Sequence, residues 1–252
     1  MDNTGRIGIF DSGIGGVTVL KEIIKVLPNE DYFYYSDSIN NPYGDKNSIE
    51  IINICKRNVE LLLKNNCKII VIACNTASAI AIESLRKEYP NIRFIGIEPA
   101  YKMVHDFNPD GETLIMATKG TIESEKFNIL YNKYNNNKTH LMSCSGLADI
   151  IEKGENESII KYLNDNLKKY KGIVDNVVLG CTHYPLAKNE ITKILGNVTF
   201  FEGSTRVAEH IKTVLETDNL LNNCGLSNII FKDSSKKKIK EDRFYNILKC
   251  NK

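Results

Sequence analysis

Long apolar runs are absent from this sequence, and none approaches the length that crosses a membrane. The first residues also lack the basic and apolar segments of a secretory signal. Charge of one sign is scarce, since 33 lysines and arginines nearly balance 31 aspartates and glutamates and leave a net charge of +2. The short basic run at residues 236–240 is predicted to be a solvated turn rather than a nucleic-acid contact. These absences favour a cytoplasmic protein that binds neither membranes nor nucleic acids.

The cysteines also lack the spacing that metal sites and disulfide frameworks use. No two of the seven form a Cys-x-x-Cys pair, and the histidine nearest to any of them is His183, two positions after Cys181. A closed zinc site is therefore not expected. An odd number of cysteines scattered through 252 residues predicts reduced thiols. Five of them are predicted to be ordinary packed residues, namely Cys55, Cys67, Cys144, Cys224 and Cys250.

Two segments have the apolar character of strands that are buried on both faces, and each leads to a cysteine. Residues 69–72 precede Cys74, and residues 177–179 precede Cys181. A helical pattern follows Cys74, so its thiol is predicted at a helix N-terminus, where the helix dipole favours a thiolate. Hydrogen-bonding residues come directly after both cysteines. The two strand ends are therefore interpreted as corresponding parts of two similar half-molecules.

The spacing of a second pair of strand ends supports an internal duplication. Asp11 follows one predicted strand and lies 63 positions before Cys74. Thr118 follows another predicted strand and lies 63 positions before Cys181. A shared interval with polar residues at both ends indicates that the chain contains two similar halves. If the halves face each other, both cysteines line one cleft.

Predicted strands and helices alternate along the chain, which is typical of parallel sheets covered by helices on both faces. Residues 121–134, for example, are predicted to form one helix. In such folds ligands bind beyond the carboxyl ends of the strands. The fold class is therefore predicted as α/β, with two similar doubly wound domains, mainly parallel sheets, a pseudo-two-fold relation and the active site in the cleft between them.

The turn at residues 11–16, Asp-Ser-Gly-Ile-Gly-Gly, joins a predicted strand to a predicted helix. Its backbone N–H groups can receive an anion. The spacing is not Gly-x-Gly-x-x-Gly, because position 18 is threonine, so a dinucleotide is disfavoured. Two interpretations stay open, which are a site for a small carboxylate or phosphate and a plain tight turn with Asp11 as a helix cap.

Five motifs follow one another through most of the chain. They are residues 7–16 (IGIFDSGIGG), 42–44 (PYG), 73–78 (ACNTAS), 118–124 (TKGTIES) and 180–185 (GCTHYP). Taken together and in this order, they resemble the cofactor-independent glutamate racemases of the aspartate/glutamate racemase superfamily. Their joint occurrence is far more specific than any one of them.

The resemblance implies two α/β domains with the active site between them and the second domain inserted into the first. The corresponding ranges are 1–97 plus 207–252 for the first domain and 98–206 for the second. The resemblance also implies that Cys74 and Cys181 are the catalytic acid/bases. Cys74 would remove the proton of the D isomer, and Cys181 would remove that of the L isomer.

Neighbouring polar groups are implied to assist the two thiols. Asp11 and His183 match the family's assisting groups, and Glu152 matches a family carboxylate near the second cysteine. The positions that match the family's substrate contacts are Ser12, Pro42, Tyr43, Gly44, Asn75, Thr76, Thr118, Thr121 and Thr182. No metal and no cofactor are implied, and the sequence lacks a pyridoxal-binding lysine signature and a nucleotide loop.

The inversion of an α-carbon explains why two thiols suit such a site. The deprotonated intermediate is planar, so a base is needed on one face and a proton donor on the other. A thiol serves both tasks near neutral pH, because its ordinary pKa is about 8.5. Backbone N–H groups at Ser12 and at Asn75 or Thr76, together with the threonine hydroxyls, are candidate donors to the developing carboxylate charge.

One loop departs from the family pattern and keeps alternatives open. Residues 36–41, Ser-Asp-Ser-Ile-Asn-Asn, stand where the family has Gly-Asp-Thr-Ala-Arg-Val, so an arginine is missing. The main hypothesis is a glutamate racemase that supplies D-glutamate for peptidoglycan synthesis. A racemase of aspartate or another acidic amino acid and a two-lobed amino-acid-binding module without turnover are the alternatives. The expected partner is a small-molecule substrate, glutamate, and a homodimer is a possible assembly.

Overall fold

The computed structural model describes residues 4–222 and 227–249 of the chain. Cys224 and Cys250, which were predicted to be packed, lie outside these ranges. Cys55, Cys67 and Cys144 are buried, as predicted. Within the described ranges, no helix combines the length and the apolar character that crossing a bilayer requires.

Nine strands in the described ranges form two sheets in which all paired neighbours are parallel. In chain order they are β1 (Arg6–Asp11), β2 (Tyr32–Ser36), β3 (Cys67–Ile72), β4 (Arg93–Gly96), β5 (Thr113–Ala117), β6 (Thr139–Ser143), β7 (Asn176–Gly180), β8 (Thr199–Phe201) and β9 (Ile229–Asp233). The first sheet has the order β4-β3-β1-β2-β9, and the second has the order β6-β5-β7-β8. Read in reverse, the second order is β8-β7-β5-β6, so the two sheets repeat one strand order once β9 is set aside. The predicted α/β class with two similar parallel sheets is confirmed.

Helices cover both faces of each sheet. The α-helices of the described ranges are α1 (Val17–Val26), α2 (Ser48–Lys64), α3 (Asn75–Glu88), α4 (Tyr101–Phe107), α5 (Lys119–Ile122), α6 (Glu125–Tyr134), α7 (Leu147–Lys153), α8 (Asn156–Leu167), α9 (Lys188–Leu195), α10 (Ser204–Thr217) and α11 (Lys238–Lys249). Alternate strand residues point to opposite faces. Ile9 accordingly packs in one core with α1 and α10, and Phe10 packs in another with α2 and α3. In the second sheet, Met116 and Ile115 divide between two cores in the same way.

Parallel pairing brings the carboxyl ends of neighbouring strands together. In the first sheet Phe10 of β1 pairs with Ile72 of β3, and in the second Ala117 of β5 pairs with Gly180 of β7. Asp11, Thr118 and Cys181 come directly after these paired residues, and Cys74 follows Ile72 after one alanine. The interval of 63 residues therefore joins neighbouring, equivalent strands in both sheets.

After the second sheet the chain returns to the first. Helix α10 places Ala208 in the core of the first sheet, and β9 pairs with β2. Helix α11 buries Phe244, whose ring lies 4.2 Å from the ring of Phe231. Helix α10 begins at Ser204, and the domain boundaries proposed from the resemblance stay predictions.

The helix predicted over residues 121–134 is divided into α5 and α6. The hydroxyl of Thr118 caps α5 by accepting the N–H of Thr121 at 3.2 Å, and the hydroxyl of Ser124 caps α6 by accepting the N–H of Phe127 at 3.2 Å. A new helix begins directly after Ser124, because the side chain of Ser124 satisfies an N–H that has no partner within α6. The sequence does not predict α4, because its seven residues carry little periodicity.

Candidate active site

A pocket lies between the carboxyl ends of the two sheets, and both candidate cysteines line it. Its walls combine side chains from the two halves of the chain. The predicted residues that line it are Ser12, Pro42, Tyr43, Gly44, Cys74, Asn75, Thr76, Thr118 and Cys181. Lys119, Cys144 and Asp149 also line it, although the sequence does not single them out as ligand contacts.

Cys74 follows β3 and occupies the N-cap position of α3. Its side chain is 5% exposed, and its Sγ lies 3.8 Å from the Oγ of Ser12. Burial above all, and then the negative charge of Asp11, raise the pKa of the Cys74 thiol to about 12. The loss of hydration outweighs the helix N-terminus that was expected to favour a thiolate. Cys74 is therefore a neutral thiol at neutral pH.

Cys181 begins a series of contacts with a histidine and a carboxylate. Its Sγ lies 3.8 Å from Nδ1 of His183, and Nε2 of His183 lies 2.8 Å from Oε2 of Glu152. Burial lowers the pKa of His183, but the contacts with Cys181 and Glu152 outweigh burial and raise it well above its usual value. Burial acts to raise the pKa of Glu152, yet His183 and Lys240 lower it to about 2. An imidazolium paired with a carboxylate therefore lies beside Cys181.

Asp11 ends β1, the strand beside the one that leads to Cys74, and backbone N–H groups hold its carboxylate. Oδ2 accepts hydrogen bonds from the N–H of Gly16 at 2.9 Å and from the N–H of Gly13 at 3.3 Å. The hydroxyl of Thr182 donates to Oδ1 at 3.3 Å. Burial raises the pKa of Asp11 above its ordinary value. Asp11 thus connects the glycine turn to the residue that follows the second cysteine.

The glycine turn at residues 11–16 receives an anion that the protein itself supplies. The N–H of Ile14 donates to Oε2 of Glu152 at 2.8 Å. A Cβ added at Gly13 would lie 2.5 Å from the same oxygen, so a larger residue at this position has no room unless Glu152 moves. Of the interpretations that the sequence left open, the structure supports the tight turn with Asp11 as a cap, because Asp11 accepts the N–H groups of Gly13 and Gly16.

Two cations of α11 also contact Glu152. Nζ of Lys240 forms an ion pair with Oε1 at 2.5 Å, and Arg243 donates to the carbonyl oxygens of Ile151 and Glu152. The prediction of a solvated turn at residues 236–240 is wrong for Lys240, whose side chain is in a helix and only 18% exposed. No local pattern marks this contact, because the two residues are 88 positions apart.

Three threonines bridge the two halves at the pocket. The Oγ1 of Thr76 lies 2.8 Å from that of Thr118 and 3.3 Å from that of Thr121, and the last two are 3.0 Å apart. A Cβ added at Gly44 would lie 2.9 Å from Cβ of Thr118, so this loop also approaches the second half closely. These three predicted threonines are brought together, and their hydroxyls bond to one another, whereas Thr182 bonds to Asp11.

The loop at residues 36–41, which departs from the family, is held by the buried Asp37. Its carboxylate accepts the hydroxyl of Tyr43 at 2.6 Å and the amide of Asn40 at 2.9 Å. Asn40 stands at the family's arginine position and therefore serves to hold this loop. By contrast, Oδ1 of Asn75 is buried and has no hydrogen-bond partner among the described residues. Asn75 is also among the residues that line the pocket.

The remaining predicted residues stand behind the pocket wall. Asp11, Thr121, Thr182, His183 and Glu152 are all buried and hydrogen-bonded as described above. Among the residues that the structure describes, no group of three or more His, Cys, Asp or Glu side chains could hold a metal ion. The lining of the pocket includes the two candidate thiols, a third thiol at Cys144, hydroxyls and an amide.

The chain is similar to known proteins both in sequence and in fold. Residues 27–210 match the family model described as Asp/Glu/Hydantoin racemase. A glutamate racemase of Clostridium novyi (strain NT) is 46% identical over 225 residues, which cover 86% of this chain and 85% of the relative. The structure of a glutamate racemase isoform from Bacillus anthracis matches with a TM-score of 0.84 at 30% identity, over 97% of this chain and 94% of that one. A glutamate racemase of Francisella tularensis, solved in complex with D-glutamate, matches with a TM-score of 0.81 at 28% identity, over 98% and 94% of the two chains.

Proposed function

We propose that this chain, which belongs to the Asp/Glu/hydantoin racemase family and within it to the glutamate racemases, interconverts L- and D-glutamate with Cys74 and Cys181 as its two acid/bases. The main support is that both thiols line one pocket, each at a strand end of a different sheet. A substrate between the sheets can then be approached from both faces of its α-carbon. Membership of a racemase family overrules the hypothesis of a binding module without turnover.

In a turnover from L-glutamate the two thiols have different tasks. Cys181, whose Sγ lies 3.8 Å from Nδ1 of His183, acts as the base and removes the α-proton. Cys74, whose pKa is raised to about 12, holds its proton and delivers it to the opposite face of the planar intermediate. Cys181 is left as the thiol and Cys74 as the thiolate. From D-glutamate the same transfers run in reverse.

Hydrogen-bond donors support the negative charge that develops on the substrate carboxylate. The backbone N–H groups of Asn75 and Thr76 stand in the first turn of α3, where they have no partner within the helix. With the hydroxyl of Ser12, they form a donor set at the pocket wall.

The proposal extends to the supply of D-glutamate for peptidoglycan synthesis in the cytoplasm, without a cofactor. This part rests on the family resemblance and on the fact that the relatives named above are glutamate racemases. The loop held by Asp37 lacks the family's arginine, which makes aspartate the competing substrate to be tested.

Incubation in D2O tests the proposed function directly. The purified protein receives L-glutamate or L-aspartate under reducing conditions and with no added cofactor, and optical rotation and α-deuterium incorporation are followed together. We expect L-glutamate to lose its rotation and to gain deuterium at the α-carbon. Turnover of aspartate alone would preserve the mechanism and refute the substrate. If neither amino acid exchanges its α-hydrogen, the proposed function is wrong.

A further inference from the structure

We propose that Lys240 and Arg243 of the C-terminal helix α11 are positioning residues for Glu152, so that this helix completes the contacts behind Cys181. Neither cation is among the residues that line the pocket, and both act through Glu152. The inference rests on the proposed function, because it gives a task to groups that stand behind one of the two proposed catalytic thiols.

The carboxylate of Glu152 is held by three partners from three parts of the chain. Oε2 accepts the N–H of Ile14 at 2.8 Å and contacts Nε2 of His183 at 2.8 Å. Oε1 contacts Nζ of Lys240 at 2.5 Å. Ile14 and Lys240 belong to the half that carries the first sheet, whereas Glu152 belongs to α7 of the other half. Two of the three contacts therefore join the halves at this side chain.

Arg243 fixes the backbone that carries the same carboxylate. Its guanidinium donates to the carbonyl oxygens of Ile151 and Glu152, which lie in the last turn of α7. The carbonyl of Ile151 also accepts the N–H of Gly154 at 3.0 Å, and carbonyls at a helix C-terminus favour a nearby cation. Gly154 follows the helix with a φ of +77°, and a Cβ there would lie 3.1 Å from Nη1 of Arg243. A glycine at this helix end thus leaves space for the guanidinium.

Aromatic packing anchors α11, the helix that carries these cations, on the first sheet. Phe244 is fully buried, and its ring lies 5.0 Å from the ring of Tyr34 as well as against Phe231. The hydroxyl of Tyr34 donates to the carbonyl of Gly13 at 2.9 Å, in the turn that receives Glu152. The same packed cluster therefore supports both the helix that carries the cations and the turn on the other side of the carboxylate.

Loss of the ammonium group would leave a buried oxygen of Glu152 without its partner. The charged and titratable groups that face the Glu152–His183 pair are Asp11, Tyr34, Cys181, Lys240 and Arg243. An unpaired buried carboxylate oxygen is unfavourable, so the side chain would turn toward another donor. The contact with Nε2 of His183 would then loosen, and Nδ1 would no longer be held toward Cys181.

The variant Lys240→Met tests this positioning, with Lys240→Arg as the rescue and Lys238→Met as the matched control. Lys238 begins the same helix, is 74% exposed and pairs only with Glu241 and Asp242 in the described structure. We expect Lys240→Met to lower kcat for glutamate by about 10- to 100-fold with a smaller change in KM, because a displacement of about 1 Å in a catalytic group costs up to about 10²-fold. Lys240→Arg should recover most of the lost activity, and Lys238→Met should keep the original activity.

A spectroscopic measurement separates this inference from the proposed function. In protein labelled with 15N-histidine, the Nε2–H signal of His183 is expected far downfield and slow to exchange, because it is buried and bonded to Glu152. In Lys240→Met it should move upfield and exchange faster. If the original protein does not racemise glutamate but this signal still responds to Lys240→Met, the substrate proposal fails and the positioning role stands.

The positioning role is overturned if Lys240→Met keeps both the His183 signal and the kcat of the original protein. It is also overturned if Lys240→Arg recovers neither quantity while the thermal unfolding midpoint is unchanged. Should Lys240→Met fail to fold, Lys240→Gln, which retains a donor without the charge, is measured in its place against the same two outcomes.

Discussion

The two halves of this molecule repeat one strand order, yet they surround their cysteines with different groups. Cys74 has the hydroxyl of Ser12 at 3.8 Å, whereas Cys181 has the imidazole of His183 at the same distance. The hydroxyl is neutral, and the imidazole is held as a cation by Glu152. Equivalent strand ends therefore provide a neutral neighbour on one side of the pocket and a cationic neighbour on the other.

This difference teaches that a duplicated fold can place two equivalent groups without giving them equivalent environments. Parallel sheets determine where the strands end, and ligands bind beyond those ends. The residues that follow each strand are free to differ, because they lie in turns and helix starts rather than in the paired sheet. Two thiols with unequal neighbours are compatible with a reversible reaction, since each is a base in only one direction.

The largest expected effect comes from removing either thiol. Cys74→Ala and Cys181→Ala should each lower kcat for racemisation by about 10³-fold, because a general acid or base contributes about 10²–10⁴-fold. Loss of optical rotation from L-glutamate and from D-glutamate measures the effect. Cys144→Ala is the matched control, because Cys144 is a buried thiol in the same pocket, and it should keep most of the activity. A single variant at Cys74 or Cys181 with undiminished kcat would refute the two-thiol mechanism.

The next effect sharpens the difference between the neighbours of the two thiols. His183→Gln should lower kcat by about 10²-fold, because it removes the cation beside Cys181. Ser12→Ala should lower kcat only about fivefold, since one neutral hydrogen bond contributes about 1 kcal/mol. Both variants are measured with both enantiomers at one pH. Equal losses of kcat in the two variants would show that the different neighbours of the two thiols do not affect catalysis.

A third effect concerns stability and its dependence on pH. The pKa of Glu152 falls from an ordinary 4.5 to about 2, so its contribution to the free energy of unfolding is present above 4.5 and is lost as the pH falls toward 2. At pH 7, Glu152→Gln should lower the free energy of unfolding by about 2 kcal/mol, because His183 and Lys240 are left without their carboxylate. Urea unfolding of both proteins across this pH range measures the difference between their free energies of unfolding. A difference that stays constant down to pH 2 would contradict the assigned ion pair.

The smallest effect concerns the threonines that bridge the halves. Thr118→Val should lower the free energy of unfolding by about 1 kcal/mol, because it removes the cap of α5 and a hydroxyl bonded to Thr76. Thr192→Val is the control, since its exposed hydroxyl bonds only to a carbonyl of its own helix in the described contacts. Urea unfolding measures both variants. Equal changes would mean that the threonine bridge adds nothing beyond an ordinary surface hydroxyl.

Much of this pocket is predictable from the sequence because strand ends carry a strong local signal. Residues 69–72 are apolar on both faces, so they predict a central strand, and Cys74 must then stand at its end. The interval of 63 residues predicts the partner strand end in the same way. A local signal of this kind is absent for α4, which is short, and for the cap at Ser124, which divides a continuous helical pattern.

By itself, the sequence determined the two-sheet α/β fold, its duplicated pattern and the two thiols at equivalent strand ends, because apolar periodicity and polar strand ends are local properties. Only the tertiary structure decided that Lys240 and Ile14 hold Glu152, since these residues meet through the packing of distant segments. It also decided that Cys74 is a neutral thiol. The helix N-terminus is visible in the sequence, but the burial that raises the pKa of Cys74 depends on how the two halves enclose it.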